Sequence, residues 1–228
     1  MVLSLSLLAS AVFAVIDLLS APLAGVTVAV YANVGLATQL ATILFGLAPV
    51  ALVLYLVERN GEGRDGFGLG TRTLAGDIGY GMLAGLGVAT IGLGIYVASV
   101  ALELNRFVVP VPPLHHWWTI PILVLGAIQA ALLEEVIVVG YLITRLEQLG
   151  WTAAWAVLGS AILRGSYHLY QGWGGFVGNL LLGLAFGWAF LRWRRTWPLV
   201  AAHCTVDILA GVGYILFRGH CVFGACIT

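Results

Sequence analysis

The chain contains no lysine, and its 228 residues carry only ten arginines against ten acidic residues. Charged residues make up 9% of it and hydrophobic residues 61%. Soluble domains carry roughly 25% charged and 45–50% apolar residues, so this shortage of charge excludes an ordinary water-soluble globule and a disordered chain. The net charge of zero lacks the basic footprint of a nucleic-acid binder. Cysteine is scarce as well. Cys204, Cys221 and Cys226 are too few for a disulfide scaffold, and the last two could pair only if the C-terminal end faces an oxidising side. No phosphate-cradling glycine loop is evident, so no nucleotide partner is expected. What the chain has in plenty is apolar length, with a mean hydropathy of +1.03. That composition implies an all-α polytopic membrane protein with the lipid bilayer as its first partner.

A spanning helix needs about 20 mostly apolar residues. Hydrophobic stretches of that kind run over 2–20, 34–57, 78–102, 119–144, 152–169, 174–191 and 197–217. The piece 21–33 is apolar but short, either a re-entrant segment or an extension of the first two spans. The expectation is therefore seven or eight transmembrane helices around a polar cavity, in a single integral membrane domain over 1–228. The first stretch lacks a basic leader and reads as a retained span rather than a cleaved signal.

Arginine placement orients the bundle. If the polar loop 58–77 is cytoplasmic, alternation puts 145–151 and 192–196 on the same side. That side then holds Arg59, Arg64, Arg72, Arg145, Arg192, Arg194 and Arg195, against Arg106 and Arg218 on the other. Seven against two predicts a cytoplasmic N-terminus and an external C-terminus for seven spans. The glycines at 81–94 suit close helix packing.

Ionisable groups at membrane depth are costly and are functional candidates by default. Glu134 and Glu135 stand together in the middle of a span. Adjacent helical positions differ by ~100°, so one carboxylate can face a reaction centre while the other holds a neighbouring helix. An interhelical ion pair is the plainer alternative. His168 is a proton shuttle, a metal ligand or an interfacial residue. His203 and Asp207, four apart, share one helix face and suit a metal, a proton relay, an oxyanion or simply each other. Arg164 shares a face with His168 and needs a carboxylate, unless it snorkels to the interface. Cys204 points ~100° away from His203. His115, His116, Trp117 and Trp118 read best as an interfacial aromatic belt. Carboxylate and imidazole without an evident nucleophile suit water activation, with or without metal, and equally a proton-coupled transporter.

These residues resemble the CPBP family, the CAAX prenyl endopeptidases and bacteriocin-processing enzymes also called ABI-type intramembrane proteases. The family pattern is EExxxR on one span, FxxxH on the next, and HxxxN or HxxxD on a later one. Here EEVIVVG begins at Glu134, RGSYH ends at His168, and HCTVD runs from His203 to Asp207. The motif-bearing catalytic core is 119–211. The resemblance implies an intramembrane endopeptidase in which Glu134 and His168 activate water. His203 and Asp207 would stabilise the oxyanion or share a metal with the first pair. Glu134, His168 and His203 would suit Zn²⁺ by ligand type, although a metal-free glutamate mechanism also fits the family. It further implies a peptide or membrane-protein substrate. The flanking YLITRL, HLYQGWGG and WPLVAAH look bacterial, which implies a multi-pass protein of a prokaryotic plasma membrane.

Two positions depart from that pattern. Val139 stands where the family has arginine, and Arg164 where it has phenylalanine. One cation is lost and one gained on adjacent motif helices. The expectation is that Arg164 restores the missing charge to Glu134 or Glu135, because an unpaired buried acid is costly. Two other readings are an inactive relative serving as a membrane scaffold and a proton- or metal-coupled transporter. A transporter of that kind would carry paired broken helices in an internal repeat, and none is evident.

Overall fold

The computed structural model describes residues 27–29, 36–104, 107–109, 116–217, 221–222 and 225–226. Seven helical elements dominate: α1 (Leu36–Gly46), α2 (Ala48–Arg59), α3 (Leu74–Ala101), α4 (Thr119–Gln148), α5 (Ala153–Tyr167), α6 (Trp173–Trp193) and α7 (Trp197–Phe217). Two very short strand pairs accompany them. Thr27–Ala29 runs parallel to Phe107–Val109, and Cys221–Val222 runs antiparallel to Ala225–Cys226, which sets the Cys221 backbone opposite Cys226.

Among the described residues five segments are long and apolar enough to cross a bilayer: Thr42–Arg59, Leu74–Ser99, Thr119–Gln148, Trp173–Trp193 and Trp197–Leu216. The stretch expected at 2–20 lies outside the described residues, as does most of 21–33. The stretch expected at 152–169 forms α5, whose 15 residues rise only about 22 Å, short of the ~30 Å hydrocarbon core. Thr152 starts this helix, its hydroxyl accepting from the Trp155 N–H. At the other end a single 3₁₀ turn (Leu169–Gln171) and Gly172 lead into α6. Hydropathy marked α5 as a span because it is apolar along its length; its boundaries, set by caps and a glycine turn, make it shorter.

Helices α5 and α6 form an antiparallel hairpin in which glycines set the spacing. Side chains added at Gly165, Gly183 and Gly187 would collide with Phe176, Ala161 and Val157. Gly81 and Gly85 likewise bring α3 against Pro198–Thr205 of α7, while Gly87, Gly92 and Gly94 face open space. The packing role expected of the 81–94 glycines thus belongs to two of them.

The three arginine-bearing loops meet at one end, as the alternation required. Arg145 pairs with Glu62 at 2.6 Å, Arg194 with Glu147 at 2.6 Å, and Arg195 with Asp77. At the opposite end the Gly174 N–H donates to the Leu104 carbonyl. The loop after α2 makes a 3₁₀ turn (Arg64–Phe67) that tucks Phe67 and Leu69 into the core beside Val53, Val57 and Val136–Val138. Gly68 ends that turn at φ 69°, pressed against the backbone of Thr196. The Thr196 hydroxyl donates to the Phe67 carbonyl at 2.9 Å, and its N–H to Gly68 at 2.8 Å.

A candidate active site on a widened helix turn

Helix α4 is not a uniform α-helix. Leu132–Tyr141, the stretch holding both glutamates, is π-helical. Bonds from i to i+5 widen the helix, a feature found most often at functional sites. The wider turn needs support from outside. Ser160 of α5, 1% exposed, donates to the Val138 carbonyl at 2.7 Å. Thr144 donates to the Gly140 carbonyl at 2.7 Å. Gly140 has no side chain to keep the Thr196 hydroxyl and the Phe67 carbonyl away.

Arg164 is the centre of the cluster. Its side chain is wholly buried, with one terminal nitrogen 2.6 Å from Glu135 Oε1 and the other 3.2 Å from Glu134 Oε2. The guanidinium lies over the Phe186 ring at 5.6 Å. The cation absent at Val139 is therefore delivered from α5, as the charge count anticipated. Val139 itself is fully buried in an apolar cluster with Ile143, Val157 and Phe186. Ser160 and Arg164 lie one helical turn apart, so the hydroxyl that supports the widened turn also fixes the register at which Arg164 meets Glu135.

His203 joins from α7. Its Nδ1 lies 2.8 Å from Glu135 Oε1, and its Nε2 lies 3.4 Å from Asp207 Oδ2. A carboxylate only accepts, so the proton of the short contact belongs to Nδ1–H donating to Glu135. Arg164 Nη2, at 3.3 Å from the same Nδ1, is then a close neighbour rather than a donor to it. Asp207 is the most accessible of the set, with its side chain 37% exposed.

His168 completes the group at the end of α5. Its Nδ1 lies 3.0 Å from the Arg164 carbonyl. A carbonyl can only accept, so Nδ1 carries the proton, and in the neutral ring Nε2 keeps its lone pair. That lone pair is turned toward Glu134, with Nε2 3.9 Å from Oε1. Tyr167 and Tyr170 flank the ring at 4.8 and 6.1 Å between centroids.

Straight helices counted from a common surface would not bring His168 and His203 to one depth. The helix starts are staggered, which sets His203 at the level of Glu135. Thr196, just before α7, touches Gly140, eight residues inside the end of α4. From that shared level, seven residues up to His203 and five up to Glu135 differ by only about 3 Å of rise.

Of the residues singled out in the sequence, Glu134, Glu135, Arg164, His168, His203 and Asp207 are brought together. Cys204 is half-buried and its thiol is not in a disulfide. His116 stacks on Trp118 at 4.6 Å beside the exposed Trp117, whereas His115 lies outside the described residues. Ser160 was missed, since a serine on an apolar helix carries no local signal of which carbonyl it will meet.

Glu134, Glu135 and His203 each offer one ligand atom within 4.8 Å of one another. His168 is not part of that set. The same atoms already face the Arg164 guanidinium at 2.6–3.3 Å. A metal ion bound there would have to share these two carboxylates with the guanidinium or displace it.

The fold and cluster define a membrane-embedded helical protein with a buried carboxylate–guanidinium–imidazole centre. Residues 116–209 match the family model described as Rce1-like, type II CAAX prenyl endopeptidase. The match covers the three motifs and agrees with the CPBP resemblance, so over these residues the chain is similar to the type II CAAX prenyl endopeptidases. No curated protein and no solved structure matches the chain.

Proposed function

We propose that this protein is an intramembrane endopeptidase that hydrolyses a peptide bond with water activated jointly by Glu134 and His168. The observation that carries the reading is the pairing of an Nε2 lone pair with a carboxylate across 3.9 Å. That distance is beyond a hydrogen bond between the two, so both can accept from one water lying between them. Glu134 takes the proton as the water attacks the scissile carbonyl. The leaving amine is then protonated from the same pair.

The remaining groups position this pair. Glu135, wholly buried, binds both Arg164 and His203 through Oε1. Arg164 pairs with both glutamates and lies close enough to orient Glu134. His203, caught between Glu135 and Asp207, reaches a developing oxyanion only if its Nε2–H leaves the 3.4 Å contact with Asp207, which binding of a substrate carbonyl would have to bring about. The mechanism is metal-free, because Arg164 already supplies the cation that a metal would otherwise contribute.

The test is mass-spectrometric detection of cleavage in a diverse peptide set that includes prenylated CAAX peptides. Wild type and Glu134→Gln are compared, each with and without chelator. Cleavage that survives chelation and vanishes in Glu134→Gln is expected. Equal outcomes for the two proteins would favour a scaffold role, and cleavage abolished by chelator would restore a metal to the site.

A further inference from the structure

A cavity of about 250 Å³ opens at the arginine-rich end, between the loop after α2 and the α6–α7 turn. Arg72, Thr73, Arg194, Arg195 and Asp65 form its polar wall. We propose that this cavity binds the phosphate group of an anionic lipid headgroup, independently of the peptidase reading.

Three guanidinium groups face one carboxylate in the wall. Two already pair with acids outside the cavity. Arg194 places both terminal nitrogens on Glu147, at 2.6 and 2.8 Å, and Arg195 places Nη2 on Asp77 and Thr73. Neither Glu147 nor Asp77 lines the cavity. A guanidinium has five N–H donors, so each arginine keeps donors for a ligand. Arg72 is exposed and has no acidic partner among the described residues. Such a set of planar donors matches the oxygens of a phosphate.

The start of one helix favours the same ligand. Thr73 directly precedes the 28-residue α3, whose N-terminal end carries the positive pole of the helix dipole. Arg194 sits in the left-handed region at φ 51°, at the C-terminal end of α6. Glycine is the usual residue there, so an arginine is kept against its own backbone preference. Depth decides between a lipid and a free anion. The wall lies at the ends of two membrane-competent helices, with Trp188 and Trp193 exposed on α6 nearby. Exposed tryptophans mark headgroup level, and basic pockets between helices at that level take lipid phosphates.

The test is native mass spectrometry of the full chain in detergent, titrated with phosphatidylglycerol, phosphatidylcholine or inorganic phosphate. Phosphatidylglycerol is expected to bind in preference to phosphatidylcholine, while inorganic phosphate over the same range leaves no bound species. Arg72→Ala should weaken phosphatidylglycerol binding about fivefold, and Arg59→Ala, an exposed arginine at the same end but outside the cavity, should not. Equal binding of the two lipids, or an Arg72→Ala variant like wild type, would overturn the site. Inorganic phosphate binding as tightly as phosphatidylglycerol would overturn its assignment to lipid.

Discussion

Arginine–carboxylate pairs hold both the buried centre and the arginine-rich end, yet the two regions have opposite stakes. Arg164 and Glu135 are at zero exposure, and each is the other's main source of charge balance. Arg194 and Glu147 pair at the same 2.6 Å with side chains 47% and 23% exposed. Water competes for the second pair and cannot reach the first. Equal distances therefore conceal a large difference in what breaking each pair would cost, and burial, not geometry, sets it.

The largest effect expected from that contrast is at Arg164. Arg164→Leu strands Glu135 in an apolar core and should destabilise the protein by about 3–5 kcal/mol, read as a lowered Tm in detergent. A Tm change no larger than that of Arg194→Gln would break the comparison. Within the cluster the two glutamates should separate. Glu134→Gln should lower the cleavage rate by about 10²–10⁴-fold with Tm near that of wild type. Glu135→Gln should lower Tm first, because it leaves Arg164 without its closest partner.

Ser160→Ala removes one buried hydrogen bond from the widened turn and should cost about 1 kcal/mol, with a fall in kcat larger than any change in KM. Rescue by Ser160→Thr would show that the hydroxyl matters rather than the space. The smallest effects belong to the exposed end. Arg194→Gln should change stability by less than about 1 kcal/mol, and added salt should shrink even that. The Arg145 hydrogen bond beside Glu62 holds its carboxyl below the ordinary value. A carboxyl lowered in the folded state stabilises the protein above the usual carboxylate range and loses that contribution as pH falls through its own titration. The small difference between wild type and Glu62→Gln should accordingly disappear in acid.

The chemistry-bearing residues were legible because membrane depth makes each ionisable group conspicuous. Glu134, Arg164, His168 and His203 stand out against apolar neighbours, and counting charges was enough to pair Arg164 with the glutamates. What was hidden depends on contacts between helices. Nothing in LLEEVIVVGY announces a π-helical stretch, whose support comes from Ser160, Thr196 and Phe67, between 19 and 65 positions from its nearest residue. Helix length failed for a related reason. Hydropathy measures how apolar α5 is, but Thr152 and the turn before Gly172 decide where it stops. The level at which α7 begins is set by Thr196 meeting Gly140 and Gly68, and no periodicity records that.

The 3₁₀ turn that buries Phe67 has a consequence for modularity. The residues packed behind the glutamates include Val50, Val53, Val57, Phe67 and Leu69, all upstream of the Rce1-like segment. A fragment beginning near residue 116 would keep every motif and lose the wall those motifs lean on. The matched segment leans on apolar side chains that precede it in the chain, so the upstream residues shape the site without contributing one ionisable group to it.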